Sequence, residues 1–346
     1  MKSMIGGYRH RPGEHCGSTV MRNMLLHFCD LDISETLTFG LGSGIECIYL
    51  SSPRITPEVV VFGRSVTLEQ DLSEALGIDY VEEPEVDDAA AWDDVRREVM
   101  EGRPAVVCSD IFYMDHRDYK VHFPFNRFAL VGFDDDVEKA YIHDRTNLDP
   151  QLVSYRALAL SRNPPEYPIC NLWGRFKSRS IRRSLEEACR QALKQAARRM
   201  TGEDDHQQRA VLALGDNDIG RGATGLAALK MFRDDLPSWR QKEDPAWLAS
   251  YVSRTIEVFG NGGGNFRRMY AAFLEEAGAM LPDLVDSRLP LLAKRSADLW
   301  TALSQRFDKI AKQEDEESWS ASVGLIDQIL AVETDLFHAL LEKFPE

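Results

Sequence analysis

The chain changes character at Pro164-Pro165-Glu166-Tyr167-Pro168. Three prolines within five residues cannot continue a helix or a central strand, so this segment marks a boundary or a bridging arm. Before it, from Ile5 to about Trp173, short β-rich runs mix with helical periods. Residues 58–63 and 105–108 read as strands with breakers beside them. The apolar run 128–133 meets the acidic turn Asp134-Asp135-Asp136 and returns as 140–143, which predicts a β-hairpin. Helices are expected at 17–29, 67–76 and 91–102, the last with Trp92, Val95 and Val99 on one face. From Ser178 onward every periodic run is helical. Ser180 is a candidate N-cap for a helix reaching Arg199, and further helices are expected at about 207–214, 222–235, 245–258, 264–281, 290–312 and 318–343. Glu314-Asp315-Glu316-Glu317 reads as a solvated helix start. The expected architecture is α+β: a mixed domain over 1–177, followed by an all-helical domain over 178–346.

Charge narrows the function classes. The 346 residues carry a net charge of −15, which argues against nucleic acid or an anionic membrane surface as partner. Arg175, Lys177, Arg179, Arg182 and Arg183 form a local basic cluster that would suit an acidic partner. No run approaches the roughly 18 apolar residues that span a bilayer. The opening segment 1–12 is polar and Gly-rich rather than signal-like, so a cytoplasmic protein is expected. The six cysteines are scattered and none has C-x-x-C spacing, which leaves no zinc or redox motif, and no metal or cofactor is expected. Phe39-Gly40-Leu41-Gly42-Ser43-Gly44 lacks the G-x-G-x-x-G spacing of a phosphate loop, and its glycines are expected to allow close backbone packing.

The chemistry-bearing stretch is His15-Cys16-Gly17-Ser18-Thr19, followed by an apolar-periodic run to Phe28. A cysteine placed where a loop becomes a helix faces unpaired backbone N–H groups and the positive end of the macrodipole, which favours a thiolate. A buried structural cysteine would look the same in sequence.

Further blocks accompany it in order: Ile33-Ser34-Glu35 before the Gly-rich 39–44 segment, Asp110-Ile111-Phe112-Tyr113-Met114, and His122-Phe123-Pro124 ahead of Leu130-Val131-Gly132-Phe133-Asp134, with Asp144 ending the next strand. In combination they resemble the butirosin biosynthesis protein H family of papain-like (C39-peptidase-like) thiol acyltransferases. The segment from Phe259 through Gly262-Gly263-Gly264 to Arg267-Arg268, with Tyr270 to Leu274, resembles the helical domain that accompanies it. The resemblance implies a cysteine-bearing helix packed on an antiparallel sheet, and acyl transfer through a cysteine thioester. It further implies an acyl carrier protein or other thioester as donor and a small-molecule or peptide amine as acceptor.

One position departs from the family pattern. The family carries a histidine just before the Val-rich strand, and here Asn126 stands there. An amide orients a neighbour but takes no proton from a thiol. Two readings stay open: a working Cys16–Asn126–Asp144 variant, or a homologue that binds without catalysis. A hydrolase of the same fold is a third. His122 could act as base only if Pro124 kinks the chain, because four extended residues span about 13 Å. His143 is expected to be a surface or satisfied core histidine, with Asp144 orienting Asn126 or a histidine. The Cys16 N–H and, at the upstream distance seen in papain-like folds, His10 are candidate oxyanion donors. Arg267 and Arg268, after three glycines at a helix start, are candidate anchors for a substrate carboxylate or phosphate, although a plain packing loop is equally open. The abundance of amphipathic helices suggests a homodimer.

Overall fold

A computed structural model describes residues 1–53, 56–206, 221–285, 287–312 and 317–345. They form two compact units, and neither is contiguous in sequence. The first comprises Met1–Thr38 and Leu76–Arg182, the second Phe39–Ala75 and Arg183–Glu346.

The first unit is built on a seven-stranded sheet. Its strands are β1 (Lys2–Met4), β4 (Tyr80–Glu83), β5 (Ala105–Ser109), β6 (Asn126–Asp134), β7 (Lys139–His143), β8 (Gln151–Ser154) and β9 (Trp173–Phe176), in the order β4-β9-β5-β6-β7-β8, with β1 also on β6. All these pairings are antiparallel. The expected hairpin is β6–β7, closed across Asp134↔Lys139. β6 is central: β5 pairs with its first half, β1 with its last three residues and β7 with the other edge. Residues 127–134 are buried without alternation, the signature of a strand covered on both faces. Helices α1 (Cys16–Cys29) and α4 (Asp88–Met100) both pack on it. The core joins Val95 and Val99 of α4 to Val107, Phe128, Leu130, Phe133 and Ile142 of the sheet, with Trp92 against its edge. α4 starts where Asp87 accepts the Ala90 N–H, the N-cap bond that saves an orphan amide.

The second unit combines helices with a three-stranded sheet, β10 (Arg221–Thr224), β2 (Ile45–Ser51) and β3 (Val59–Arg64). This sheet corrects two expectations. Residues 178–346 are not purely helical, since Arg221–Thr224 is a strand. The division at 177/178 is not where the units part, because β2 pairs with β10 from Ser51↔Arg221 to Ile48↔Thr224. Those ladder bonds draw 39–75 into the second unit. Its long helix Leu185–Thr201 begins at Ser184 rather than Ser180. Ser184 and Glu187 form a reciprocal capping box, and Gly202 closes the helix in the left-handed conformation. The expected helix at 207–214 and the acidic residues 314–316 lie outside the described residues.

The Gly-rich 39–44 segment does pack closely. A Cβ on Gly40 would meet the Phe273 ring at 2.0 Å, and one on Gly44 would meet the Phe39 carbonyl at 2.6 Å. Tyr270, Phe273 and Leu274 are fully buried core.

Candidate active site

Sheet register gathers the chemistry at one end of the first unit. Ser109↔Asn126 places the end of β5 beside the start of β6, and Ala129↔His143 brings the end of β7 to the same end. Adjacent strands are about 4.8 Å apart, so Asp110, Asn126 and Asp144 follow in neighbouring rows. The Gly13 N–H donates to the Arg145 carbonyl at 2.7 Å, which brings the loop leading to Cys16 to this same end.

Cys16 opens α1 with His15 as N-cap. The Ser18 N–H donates to His15 Nδ1 at 3.1 Å, so this imidazole replaces the Ser, Thr or Asp usual at such a position. Beneath the loop, the Glu35 carboxylate accepts from the Glu14 and His15 N–H groups and from the Ser18 and Thr19 hydroxyls. A Cβ on Gly13 would fall 2.2 Å from Thr19 Oγ1 and 2.3 Å from a Glu35 oxygen, so only glycine fits there without moving this network. The Glu14, His15 and Ser18 amides around Cys16 are therefore satisfied. The Cys16 and Gly17 N–H groups have no acceptor among the described residues. They sit at the positive end of the helix beside a thiol that is 8% exposed.

His10 is fixed by a chain of forced choices. The Arg11 N–H and Arg22 Nε–H can only donate, and both point to Asn23 Oδ1. Asn23 Nδ2 therefore donates, to the Arg11 carbonyl and to His10 Nδ1, each at 3.0 Å. With Nδ1 accepting, the His10 proton resides on Nε2. Burial, reinforced by His143 and the Arg22 charge, pushes the His10 pKa down to about 4, so the ring is neutral at pH 7. His143 stacks on His10 at 4.4 Å and on Tyr8 at 5.3 Å, and burial pushes it down to about 4 as well. It is thus buried in the core, but its Nδ1 has no hydrogen-bond partner among the described residues, so it is not the satisfied core histidine expected.

Of the two partners expected for Asp144, Asn126 or a histidine, it makes no hydrogen bond to Asn126 among the described residues and faces a histidine, His116. Its carboxylate accepts from the Thr146 N–H and hydroxyl and from the Asn147 N–H, and faces Arg117 at 3.1 Å and His116 Nε2 at 3.5 Å. Burial alone would raise this carboxyl, but the bonds from His116 and Thr146 and the Arg117 charge hold it well below the usual carboxylate range. Asn126 pairs its backbone with Ser109, and its half-buried side chain makes no hydrogen bond among the described residues.

His122 is held by a buried carboxylate. Asp110 is fully buried; one oxygen accepts the Phe112 and Phe123 N–H groups, and the other lies 2.6 Å from His122 Nδ1. A carboxylate that faces Nδ1 keeps the proton there and leaves Nε2 to accept. The ring is 31% exposed. The left-handed backbone at Phe125 (φ 61°) turns the chain between His122 and Asn126, so the segment is not extended. Sequence reasoning did not assign roles to Asp110 and Glu35, and it overlooked His116. The only sequence signal for Asp110 was its place ahead of an aromatic run, an N-cap-like position.

The arginines expected to anchor substrate belong to the second unit. Arg267 is buried and fully engaged: two bonds reach Glu333, and others reach the carbonyls of Glu46, Gly63 and Asn265. Arg268 bonds Thr301 at 2.8 Å and lies 3.5 Å from Asp298. The buried Arg267 guanidinium is thus taken up within its own unit, whereas Arg268 is exposed and paired only at the surface, and the Gly262-Gly263-Gly264 turn packs closely. Gly264 shows this directly: a Cβ there would meet Ala297 at 2.8 Å.

Two family models match the sequence. One, described as butirosin biosynthesis protein H, N-terminal, covers residues 15–145, and the other, a domain of unknown function (DUF4872), covers residues 166–340. The chain belongs to the butirosin biosynthesis protein H-like family. A comparison with curated proteins gives no match. The first family match starts at the N-cap of the cysteine helix and spans Cys16, Glu35, Asp110, His116, His122, Asn126, His143 and Asp144. Among the described residues, no group of His, Cys, Asp and Glu is placed to hold a metal ion, and no helix is long and apolar enough to cross a membrane.

Proposed function

We propose that this protein is a cysteine-dependent, amide-forming acyltransferase of specialised-metabolite biosynthesis, on a papain-like scaffold. The family's printed name supports the biosynthetic setting. One observation carries the chemistry: the start of α1 leaves the Cys16 and Gly17 N–H groups unpaired beside the thiol while Glu35 and His15 satisfy their neighbours. Donors preorganised in this way stabilise the oxyanion of an acyl-transfer intermediate, an effect worth about 10²–10³ in rate per donor.

The reaction balances with these groups. His122 Nε2 takes the Cys16 proton, and the thiolate attacks the carbonyl of an acyl thioester presented by a carrier protein or other donor. The carbonyl–sulfur bond to the donor breaks, and the donor leaves as a thiol with the proton held by His122. An amine then attacks the acyl-Cys16 carbonyl. The C–N bond forms, the C–S bond to Cys16 breaks, and the amine proton returns through His122 to the cysteine sulfur. Asp110 holds the ring in the tautomer that both steps need. The Cys16 amide and the neutral His10 Nε2–H serve the oxyanion, and Asn126 has no proton to carry.

The test is product analysis with an acyl thioester and a panel of primary amines. Amide that forms with wild type and not with Cys16→Ala supports the proposal. Free acid regardless of amine would make the protein a hydrolase, and no turnover with any donor would favour a binding homologue.

A further inference from the structure

The helix Pro245–Glu257 of the second unit has two apolar faces, and the unit's own core covers only one. Leu248, Ala249, Val252 and Ile256 are buried in that core. Trp247, Tyr251, Arg254 and Val258 recur at i, i+4, i+7 and i+11, which sets them in one stripe along the other side. Trp247 is 46% exposed and Val258 58%. The stripe is continuous. The Trp247 and Tyr251 rings lie 5.8 Å apart, the Tyr251 and Phe259 rings also 5.8 Å, and the Arg254 guanidinium sits over Phe259 at 5.1 Å. Single exposed apolar residues are ordinary on a protein surface, but a contiguous aromatic stripe marks a contact face. Charge is divided along it: Glu243 and Asp244 stand at its start and Arg254 near its end. Glu243 and Arg254 are about 16 Å apart along the helix axis, too far to pair within one chain. Neither has an ion-pair partner among the described residues.

We propose that this stripe is the contact face between two copies of the chain, paired helix against helix in antiparallel sense, with the two-fold axis at the height of Leu248 and Ala249. That register puts Arg254 of each copy beside Glu243 of the other, Trp247 opposite Ser250 and Tyr251 opposite Ala246. Opposite charges meet at both ends, and each large ring faces a small side chain. A parallel pairing would instead set Arg254 against Arg254. One helix pair buries little area, so the dimer is expected to be weak, with a Kd of about 1–100 µM. The assignment is independent of the chemistry at Cys16.

Sedimentation equilibrium of the full chain tests it. Wild type is expected to pass from monomer to dimer as its concentration rises to about 100 µM. Trp247→Glu and Arg254→Glu are each expected to raise the dimer Kd at least about tenfold. Circular dichroism and Tm should stay unchanged in both, because both side chains are exposed. Adding Glu243→Arg to Arg254→Glu restores opposite charges and should bring the Kd back to within about threefold of wild type. A wild type that is still monomeric at about 100 µM overturns the proposal. So does a dimer that neither single change weakens, or one that the double exchange fails to restore. A monomer that binds maltohexaose, with binding lost in Trp247→Glu, would assign the stripe to a saccharide and overturn it too.

Discussion

His122 Nδ1 and Asp110 Oδ2 lie 2.6 Å apart, with the aspartate fully buried and the histidine partly open. In the proposed reaction this pair supplies what Asn126 cannot, an imidazole nitrogen that accepts a proton. His122→Ala is expected to lower kcat/KM about 10²–10⁴-fold. Asp110→Asn should lower the rate by less, because the ring remains but its tautomer is no longer held. His116 faces Asp144 from a buried position. Loss of activity in His116→Ala with full activity in His122→Ala would assign the base to the other pair.

Glu35 satisfies four donors around the nucleophile loop. Glu35→Ala strands them and is expected to cost about 2–4 kcal/mol of stability, read as a shifted denaturant midpoint. The same variant should lose preferential alkylation of Cys16 over Cys47 and Cys108 by iodoacetamide at pH 7. Retained preference would mean that the helix start holds its geometry without this carboxylate.

Much of the sheet is legible in the sequence, and the pairing of side chains is not. The apolar run 128–133 and its acidic turn identify β6 and β7 because a strand buried on both faces needs no alternation. Cys16 is legible because the start of its helix is local. The roles of Asp110 and Glu35 are not, because their contacts to His122 and to the 14–19 loop depend on how separate segments fold back. The unit boundary is hidden for the same reason, since nothing local tells β2 that its partner is Arg221–Thr224. Arg267 misleads because a Gly-rich turn before a basic helix start looks alike whether the guanidinium meets a ligand or a buried glutamate.

Acid stability follows from the stacked histidines. Both His10 and His143 are pushed down to about 4 by burial, against an ordinary value of 6.5. Between those values the unfolded chain binds more protons than the folded one, so stability is lost as pH falls from about 6.5 to about 4. The depressed Asp144 carboxyl adds a loss in the same direction at still lower pH. His143→Phe keeps the stacking and removes one titrating group, so it should flatten the fall in Tm across this window. An unchanged slope would contradict the assignment.

Arg267 is a structural cation in the second unit. Arg267→Ala leaves Glu333 buried and unpaired and is expected to destabilise by about 3–5 kcal/mol. Urea denaturation of the variant checks the loss. A stable Arg267→Ala protein with a raised KM for donor or acceptor would return this residue to a substrate role.

The central claim is that Cys16 carries the acyl group. Intact-mass spectrometry after brief exposure to an acyl thioester, without an amine, tests it most directly. The account predicts a single added acyl mass that maps to the peptide containing Cys16, is absent in Cys16→Ser, and disappears when an amine acceptor is added. No adduct with any thioester, or an adduct on another cysteine that persists in Cys16→Ser, would contradict it.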